Sequence, residues 1–287
     1  MERPLVVGVD GSDSGLRALD WAVDEAALLG LPLRVLYASE WERFEGEAPE
    51  QAPERPREEV LVEAVVASAA ERARARDAAV DVTTEVAPED AVTALLRAGH
   101  TASLLVLGSR GRGEITGLLL GSVGLAVVAR ARCPVIVVRG DTAGLTGTHQ
   151  SVLLGVGDPG KGADAVRFAF REAEARGCLL KAVRAWRCPA HERTDAGHPG
   201  STHERQASEL IDKALAAAAG DHPEVRVRRT TVEGPAHKVL VHRAAAADLL
   251  VIGAGRRHGH FGLPLGRVVH GALCHAACPV AVVPQRG

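Results

Sequence analysis

Gly108, Gly111 and Gly113 alternate with Arg110 and Arg112 after the apolar run Leu104 to Leu107, and the chain then passes through Gly121 and Ser122 into a helical stretch, Val123 to Arg130. In chemical terms this is an anion cradle. Glycines let the backbone adopt positive φ and bring its N–H groups against an oxyanion, while guanidinium groups add charged donors. The first turn of the following helix contributes unpaired N–H groups and the positive end of the macrodipole, so a phosphate between Ser122 and the glycine loop is held from two sides. Ser122 reads as the N-cap, with a hydroxyl that serves helix or ligand. A second chemically loaded turn lies near the start, where the run Leu5 to Val9 empties into Asp10-Gly11-Ser12. No nucleophile with an adjacent base, no paired carboxylates and no lysine in the loop accompany these groups, which favours binding over phosphoryl transfer.

The elements that must position these turns alternate in type. The first half predicts strands at 5–9, 33–38, 80–86, 104–107 and 135–138. Between them lie helices from Ser12 or Asp13 to Gly30, at 56–76, at 90–99 and at 123–130. The first helix carries a stripe of Leu16, Leu19, Ala22, Val23, Ala26 and Ala27, and the second one of Val60, Ala64, Ala67 and Ala70. Trp41 to Glu59, rich in Pro and Glu, reads as a loop. Strand alternating with helix implies a parallel sheet covered on both faces, and ligands of such sheets bind beyond the carboxyl ends of the strands, at the switch point. The Asp10 turn and the Gly108 loop both lie at such ends.

The chain is also duplicated, with a period of about 145 residues. Gly8 falls on Gly155, Ala22 on Ala169, Glu25 on Glu172, Gly30 on Gly177, Gly108 on Gly253, Gly121 on Gly266 and Cys133-Pro134-Val135 on Cys278-Pro279-Val280. Two domains are expected, at 1–140 and 151–287, joined by a linker at 141–150. The second half predicts strands at 152–156, 179–185, 225–232, 249–252 and 280–283, helices at 163–176, 203–219, 235–246 and 268–275, and a loop at 188–202. Its glycine loop departs from the first copy: Gly157 stands for Asp10, Arg256 for Gly111 and Arg267 for Ser122. Arg256 removes a position that tolerates positive φ, and Arg267 puts a long cation where a small cap is expected.

The 287 residues suffice for two cores, and 46% hydrophobic with 24% charged residues is a globular composition. A net charge of −2 and 3% aromatic residues argue against nucleic acid and anionic membrane surfaces as partners. Five cysteines without disulfide-like spacing fit a reducing compartment. No charged n-region with an apolar h-region precedes Val6, and no apolar run is long enough to span a membrane, so a cytoplasmic location is expected. The run Gly155 to Lys161 satisfies Gly-x-Gly-x-x-Gly and most of a P-loop, but Gly162 lacks the hydroxyl that Mg²⁺ needs and the repeat places Gly155 at a strand end. His258, His260, His270, Cys274, His275 and Cys278 invite a metal reading; against it, Cys278 repeats Cys133, which has no neighbouring histidine, so both read as core thiols and no metal is assigned.

Gly108, two residues, Gly111, nine residues, Gly121-Ser122, together with Val6-Val-Gly-Val-Asp10-Gly-Ser12, resembles the nucleotide-binding signature of the universal stress proteins. The resemblance covers both halves. It implies two tandem, open-twisted, parallel five-stranded α/β sheets with helices on both faces, Rossmann-like and of the adenine nucleotide alpha hydrolase type. It implies ATP as the ligand, with Mg²⁺ as its optional companion. Asp10 then contacts the nucleoside end or the metal–phosphate region, and Gly108, Ser109, Arg110, Gly111, Arg112 and Gly113 wrap ribose and phosphates. Gly121, Ser122 and Val123 hold the phosphates, backbone around Gly8, Val9 and Ala38 frames the adenine, and Ser12 belongs to the same turn. The second domain, lacking three of these residues, is expected to bind ATP poorly or not at all. The family further implies a bacterial, nucleotide-dependent stress-response regulator with an unidentified protein partner. The last strands of the two copies would pair into a pseudo-dimer, and chains could associate as homodimers. Alternatives are a slow ATPase or phosphotransferase using the same site, and a nucleotide-independent structural module.

Overall fold

The computed structural model describes residues 3–39, 55–111, 120–158, 162–188, 199–255 and 265–285. The chain divides into two compact units, Met1–Val138 and Arg139–Gly287.

Unit 1 runs β1 (Leu5–Gly8), α1 (Asp13–Leu29), β2 (Leu33–Ala38), α2 (Arg55–Arg76), β3 (Val82–Ala87), α3 (Ala91–Ala98), β4 (Leu104–Gly108), α4 (Ser122–Arg130) and β5 (Val135–Val138). Its strands pair in parallel in the order β3-β2-β1-β4-β5, with Leu5 opposite both Leu33 and Leu104. The apolar runs are continuous because both faces are covered: Leu5, Leu33, Leu36, Leu105 and Ile136 are fully buried. Right-handed crossovers send α1 and α2 to one face and, once the strand order reverses between β1 and β4, α3 and α4 to the other. That reversal opens a crevice at the carboxyl ends of β1 and β4.

Helix α1 begins where Ser12 caps it, its hydroxyl accepting from the Gly15 N–H at 3.1 Å, and ends at Gly30 in the left-handed region (φ 65°). Helix α2 turns a different face inward from the one its alanines suggest. Val62, Val66, Ala69, Ala70 and Ala73 are buried, whereas Val60 is 62% exposed and Ala64 and Ala67 also face solvent. Several stripes of an Ala- and Val-rich helix look equally apolar; the face chosen buries both Val62 and Val66, and beside it Arg72 and Arg76 each make two hydrogen bonds, to Asp20 and Asp24 of α1 respectively, at 2.6 and 2.7 Å. Pairs one helical turn apart on both helices define a parallel register.

Unit 2 runs α5 (Thr142–Leu145), β6 (Ser151–Gly155), α6 (Ala163–Ala175), β7 (Leu179–Trp186), α7 (Pro199–Asp221), β8 (Val227–Glu233), α8 (Ala236–Ala244), β9 (Leu249–Ala254), α9 (Arg267–His275) and β10 (Val280–Pro284). Its parallel order is β10-β9-β6-β7-β8, around a core that includes Phe170, Leu153, Leu154, Leu180, Ile211 and Leu215. The stretch read as a linker holds α5, capped by Asp141, which accepts from the Gly144 N–H at 2.9 Å. Helix α7 starts at Pro199, within the stretch read as a loop. Asp248, 6% exposed, anchors the start of β6 by accepting from the N–H groups of His149 (2.8 Å) and Ser151 (3.0 Å). Among the described residues no helix is long and apolar enough to cross a membrane.

Candidate functional site

At the crevice of unit 1 lies a cavity of about 280 Å³. Gly8, Val9 and Asp10 from the end of β1, Ala38 from β2, Gly108, Arg110 and Gly111 from the end of β4, and Gly121, Ser122 and Val123 at the start of α4 all line it. Ser12 and Ser109 stand behind this wall, and Arg112 and Gly113 lie outside the described residues.

The Asp10 turn is built by local hydrogen bonds. Asp10 Oδ1 accepts from the Ser12 N–H at 3.0 Å and from the Ser12 hydroxyl at 2.6 Å, and the same hydroxyl oxygen caps α1. Ser12 therefore couples the carboxylate to the helix start. Asp10 Oδ2 rests against the Gly111 backbone: a Cβ on Gly111 would come within 2.8 Å of it.

The β4 end is clamped by α1. Ser14, 5% exposed, accepts from the Arg110 N–H at 3.2 Å and lies 3.5 Å, Oγ to Oγ, from Ser109. Gly108 sits so close to the first turn of α1 that an added Cβ would be 2.7 Å from the Ser14 carbonyl oxygen. The loop glycines are thus required for close approach. Left-handed backbone is not the reason: the positive-φ glycines among the described residues are Gly11, Gly30, Gly140, Gly147, Gly177 and Gly234, so the positive φ expected at Gly108 and Gly111 is absent.

The helix start also differs from expectation. Gly121, extended at φ −73° and ψ 149°, is the N-cap of α4, its N–H tied to the Ser109 carbonyl at 2.8 Å, and Ser122 is the first helical residue. In unit 2 Gly266 is likewise the cap and Arg267 the first helical residue, so the arginine displaces no capping hydroxyl. A serine after a glycine attracts the cap assignment by residue type, but the extended residue anchored to the preceding loop takes the role. Ser122, Val123 and Gly124 still turn the first turn of α4, whose N–H groups lack intrahelical acceptors, toward the cavity.

The other end of the cavity is apolar. Leu36, Ala91, Leu95 and Leu107 form it, and Gly8 is pressed between the last two: a Cβ there would meet Leu107 Cδ2 at 2.9 Å and Leu95 Cδ2 at 3.0 Å. Sequence reasoning missed these residues together with Gly15 and Gly124. The signals were present in the burial face of α3 and in Asp90, which caps α3 by accepting from the N–H groups of Val92 (3.1 Å) and Thr93 (3.0 Å) and so brings Ala91 to the rim. The cavity thereby joins an apolar slot to a polar mouth with one guanidinium, one carboxylate, one hydroxyl and a helix N-terminus. Among the described residues no histidine, cysteine or lysine lines it.

Unit 2 repeats the frame with a different interior. Gly155 ends β6 as Gly8 ends β1, but α6 begins only at Ala163, behind Gly162, which makes no side-chain cap. The amide of Gln285 lies over Gly253, where unit 1 has the first turn of α1 over Gly108. Cys133 and Cys278 are both buried, as core thiols should be. Cys274 Sγ lies 4.0 Å from His270 Nδ1, and no cluster of three metal-ligating side chains occurs among the described residues. Gly160, Lys161, Arg256, Arg257, His258 and His260 lie outside the described residues.

The model of the universal stress protein family matches residues 1–139 and again 148–284. A universal stress protein of Mycobacterium tuberculosis is 33% identical over 300 aligned residues, covering 99% of this chain and 98% of that one, and a second from the same organism is 28% identical over 288. Among solved structures, a universal stress protein of Archaeoglobus fulgidus shares the fold with a TM-score of 0.70 at 18% identity, over 99% of both chains. Another universal stress protein, solved in complex with cAMP, is 34% identical over 48% of this chain and 96% of its own, with a TM-score of 0.35. The duplicated α/β sheets, the family match in each half and the full-length relatives place this chain in the universal stress protein family.

Proposed function

We propose that unit 1 binds ATP and that occupancy of this site makes the protein a nucleotide-dependent regulator. The observation that carries the reading is the convergence of three chain segments on one cavity, apolar at one end and donor-rich at the other. The slot between Leu36, Ala38, Ala91 and Leu95 suits a flat base, with backbone groups at the strand ends to read its edge. Arg110, Ser122 and the first turn of α4 suit phosphates. Asp10 would repel phosphate oxygens by itself, so its place in the cavity fits a divalent cation carried with the nucleotide; Mg²⁺ would there neutralise phosphate charge.

Binding is favoured over turnover, because the described lining holds no histidine or lysine to act as base beside its one hydroxyl, that of Ser122. A nucleotide would lock the loop that starts at Arg110 and thereby bias a partner-binding state. The cytoplasmic location, read from the cysteine pattern, and the pairing of the two units into a pseudo-dimer and the homodimer, read from the family resemblance, belong to the same reading. Sedimentation of the purified chain with and without ATP tests the last of these.

Calorimetry on nucleotide-stripped protein tests the ATP reading. One site per chain is expected, with affinity falling at least tenfold in Ser122→Asp, about 1.4 kcal/mol. An aspartate in the first turn of α4 favours the helix while repelling phosphate, so lost binding is not lost folding. Unchanged ATP affinity in this variant, or no binding by the parent protein, would overturn the proposal.

A further inference from the structure

The strand register shows how thoroughly unit 2 is rebuilt around the corresponding crevice. Gly8 pairs with Leu36 and Leu36 with Glu85; Gly155 pairs with Val183 and Val183 with Thr230. By that correspondence Gly157 replaces Asp10, Trp186 replaces Ser39, Gly234 and Pro235 replace Glu89 and Asp90, and His237 replaces Val92. Arg267 replaces Ser122. Each of these exchanges removes an acidic group or adds a cationic or aromatic one, whereas Gly255 in place of Arg110 removes a cation, so the positive charge of the crevice is moved as well as increased.

The added groups share one place. Trp186, Arg187, His237 and Arg267 line a single cleft of about 760 Å³ at the carboxyl ends of β7 and β9. Asp158 is the one carboxylate of its described lining, and Arg184 engages it at 3.2 Å while also donating to the carbonyls of Val156 and Gly157. Arg187 and Arg267 are exposed, and Trp186 is braced by stacking on His203 with ring centroids 6.4 Å apart and 21° between planes. The cleft is also roomy. A Cβ added at Gly255 or Gly266, both in its lining, would meet nothing within 4 Å, in contrast to the crowded Gly108 and Gly111 of unit 1.

We infer that the unit 2 cleft binds a phosphate-rich polyanion directly, without a divalent cation. Among the described residues of the unit 1 cavity one carboxylate, Asp10, stands beside one guanidinium, Arg110, an arrangement suited to a polyphosphate that carries a cation. Among the described residues of the unit 2 cleft two guanidinium groups face the space, the one carboxylate is already paired, and the His237 ring adds a hydrogen-bonding edge, so the protein itself supplies positive charge to the ligand. The start of α9 adds to the same field, and the Trp186 face covers one side.

The test uses the full chain carrying Ser122→Asp, so that phosphate binding in unit 1 is weakened, with tripolyphosphate as the probe in EDTA. Calorimetry should give one saturable site per chain, and tryptophan emission should change in parallel. Arg187→Ala with Arg267→Ala should weaken binding about tenfold or more, each arginine contributing charge-assisted hydrogen bonds. Trp186→Phe should abolish the emission change while leaving the heat of binding. Absence of saturable binding in EDTA, binding indifferent to the arginine pair, or an emission change that survives Trp186→Phe would each overturn the assignment. None of these outcomes bears on ATP in unit 1, which the parent protein reports separately.

Discussion

Gly108 and Gly253 occupy the same position in the two repeats, and the structure assigns opposite consequences to adding one methyl group. In Gly108→Ala the new carbon would fall 2.7 Å from the Ser14 carbonyl oxygen and 2.8 Å from the Ser14 carbonyl carbon, both backbone atoms in the first turn of α1. Neither can withdraw without moving the turn that holds Ser12 and Asp10. Overpacking of this kind costs about 1–3 kcal/mol. For a unit of this size that corresponds to a fall of roughly 3–9 °C in its melting temperature. In Gly253→Ala the near neighbour is the Gln285 side-chain amide, and the next residue is Ala165, its Cβ at an ordinary 3.5 Å. A terminal amide can rotate away, so the expected change is within about 0.5 kcal/mol. Scanning calorimetry of the two variants reads both, and ATP, which raises the transition of the unit that binds it, identifies which transition belongs to unit 1. ATP affinity should fall at least tenfold in Gly108→Ala, because the Arg110 N–H and the Asp10 carboxylate both shift with the clamp, and stay unchanged in Gly253→Ala. Equal stability losses in the two variants, or a Gly108→Ala protein as stable and as avid as its parent, would refute the close-approach account of the loop glycines.

Ser12→Ala removes a helix cap and the hydroxyl donor to Asp10, so it should destabilise unit 1 by about 1 kcal/mol and weaken the effect of Mg²⁺ on ATP binding; calorimetry with and without EDTA measures the second effect, and a Mg²⁺ effect of parental size would contradict the coupling. The buried thiols give a pH dependence of definite sign. Burial pushes the Cys133 thiol from its ordinary 9.0 up to about 11 and, with the nearby Asp248 charge adding to burial, the Cys278 thiol up to about 12. Above pH 9 the unfolded chain loses these protons while the folded one keeps them, so stability falls as pH rises from about 9 through about 11. Urea unfolding at pH 8 and pH 10.5 should show this loss, shallower in Cys133→Ala/Cys278→Ala, and an equal slope in the two proteins would rule the thiols out as its source.

What the sequence makes legible here is whatever depends on a single chain segment, and what it hides depends on two segments meeting. The strands of both sheets are readable because burial on both faces turns each into a short apolar run, and Leu5 to Gly8 or Leu104 to Gly108 needs no partner to be recognised. Their convergence is readable too, since the crossover rule brings the ends of β1 and β4 side by side. The inward face of α2 is not, because it depends on the elements the helix packs against, α1 among them, whose Asp20 and Asp24 meet Arg72 and Arg76. Nor is the role of Gly108, whose need for a missing side chain comes from Ser14, far away in sequence. The same logic separates the two crevices. Replacement of Asp10, Gly111 and Ser122 marks unit 2 as altered, and by that measure alone it looks like a site decaying. Only the folded register shows that Ser39, Glu89, Asp90 and Val92 changed alongside them and that Trp186, Arg187, His237 and Arg267 face one cleft. With Asp158 held by Arg184 and two guanidinium groups open to the cleft, the charge left in unit 2 is positive although Gly255 stands where unit 1 has Arg110, and that balance favours an anion that brings no metal ion with it.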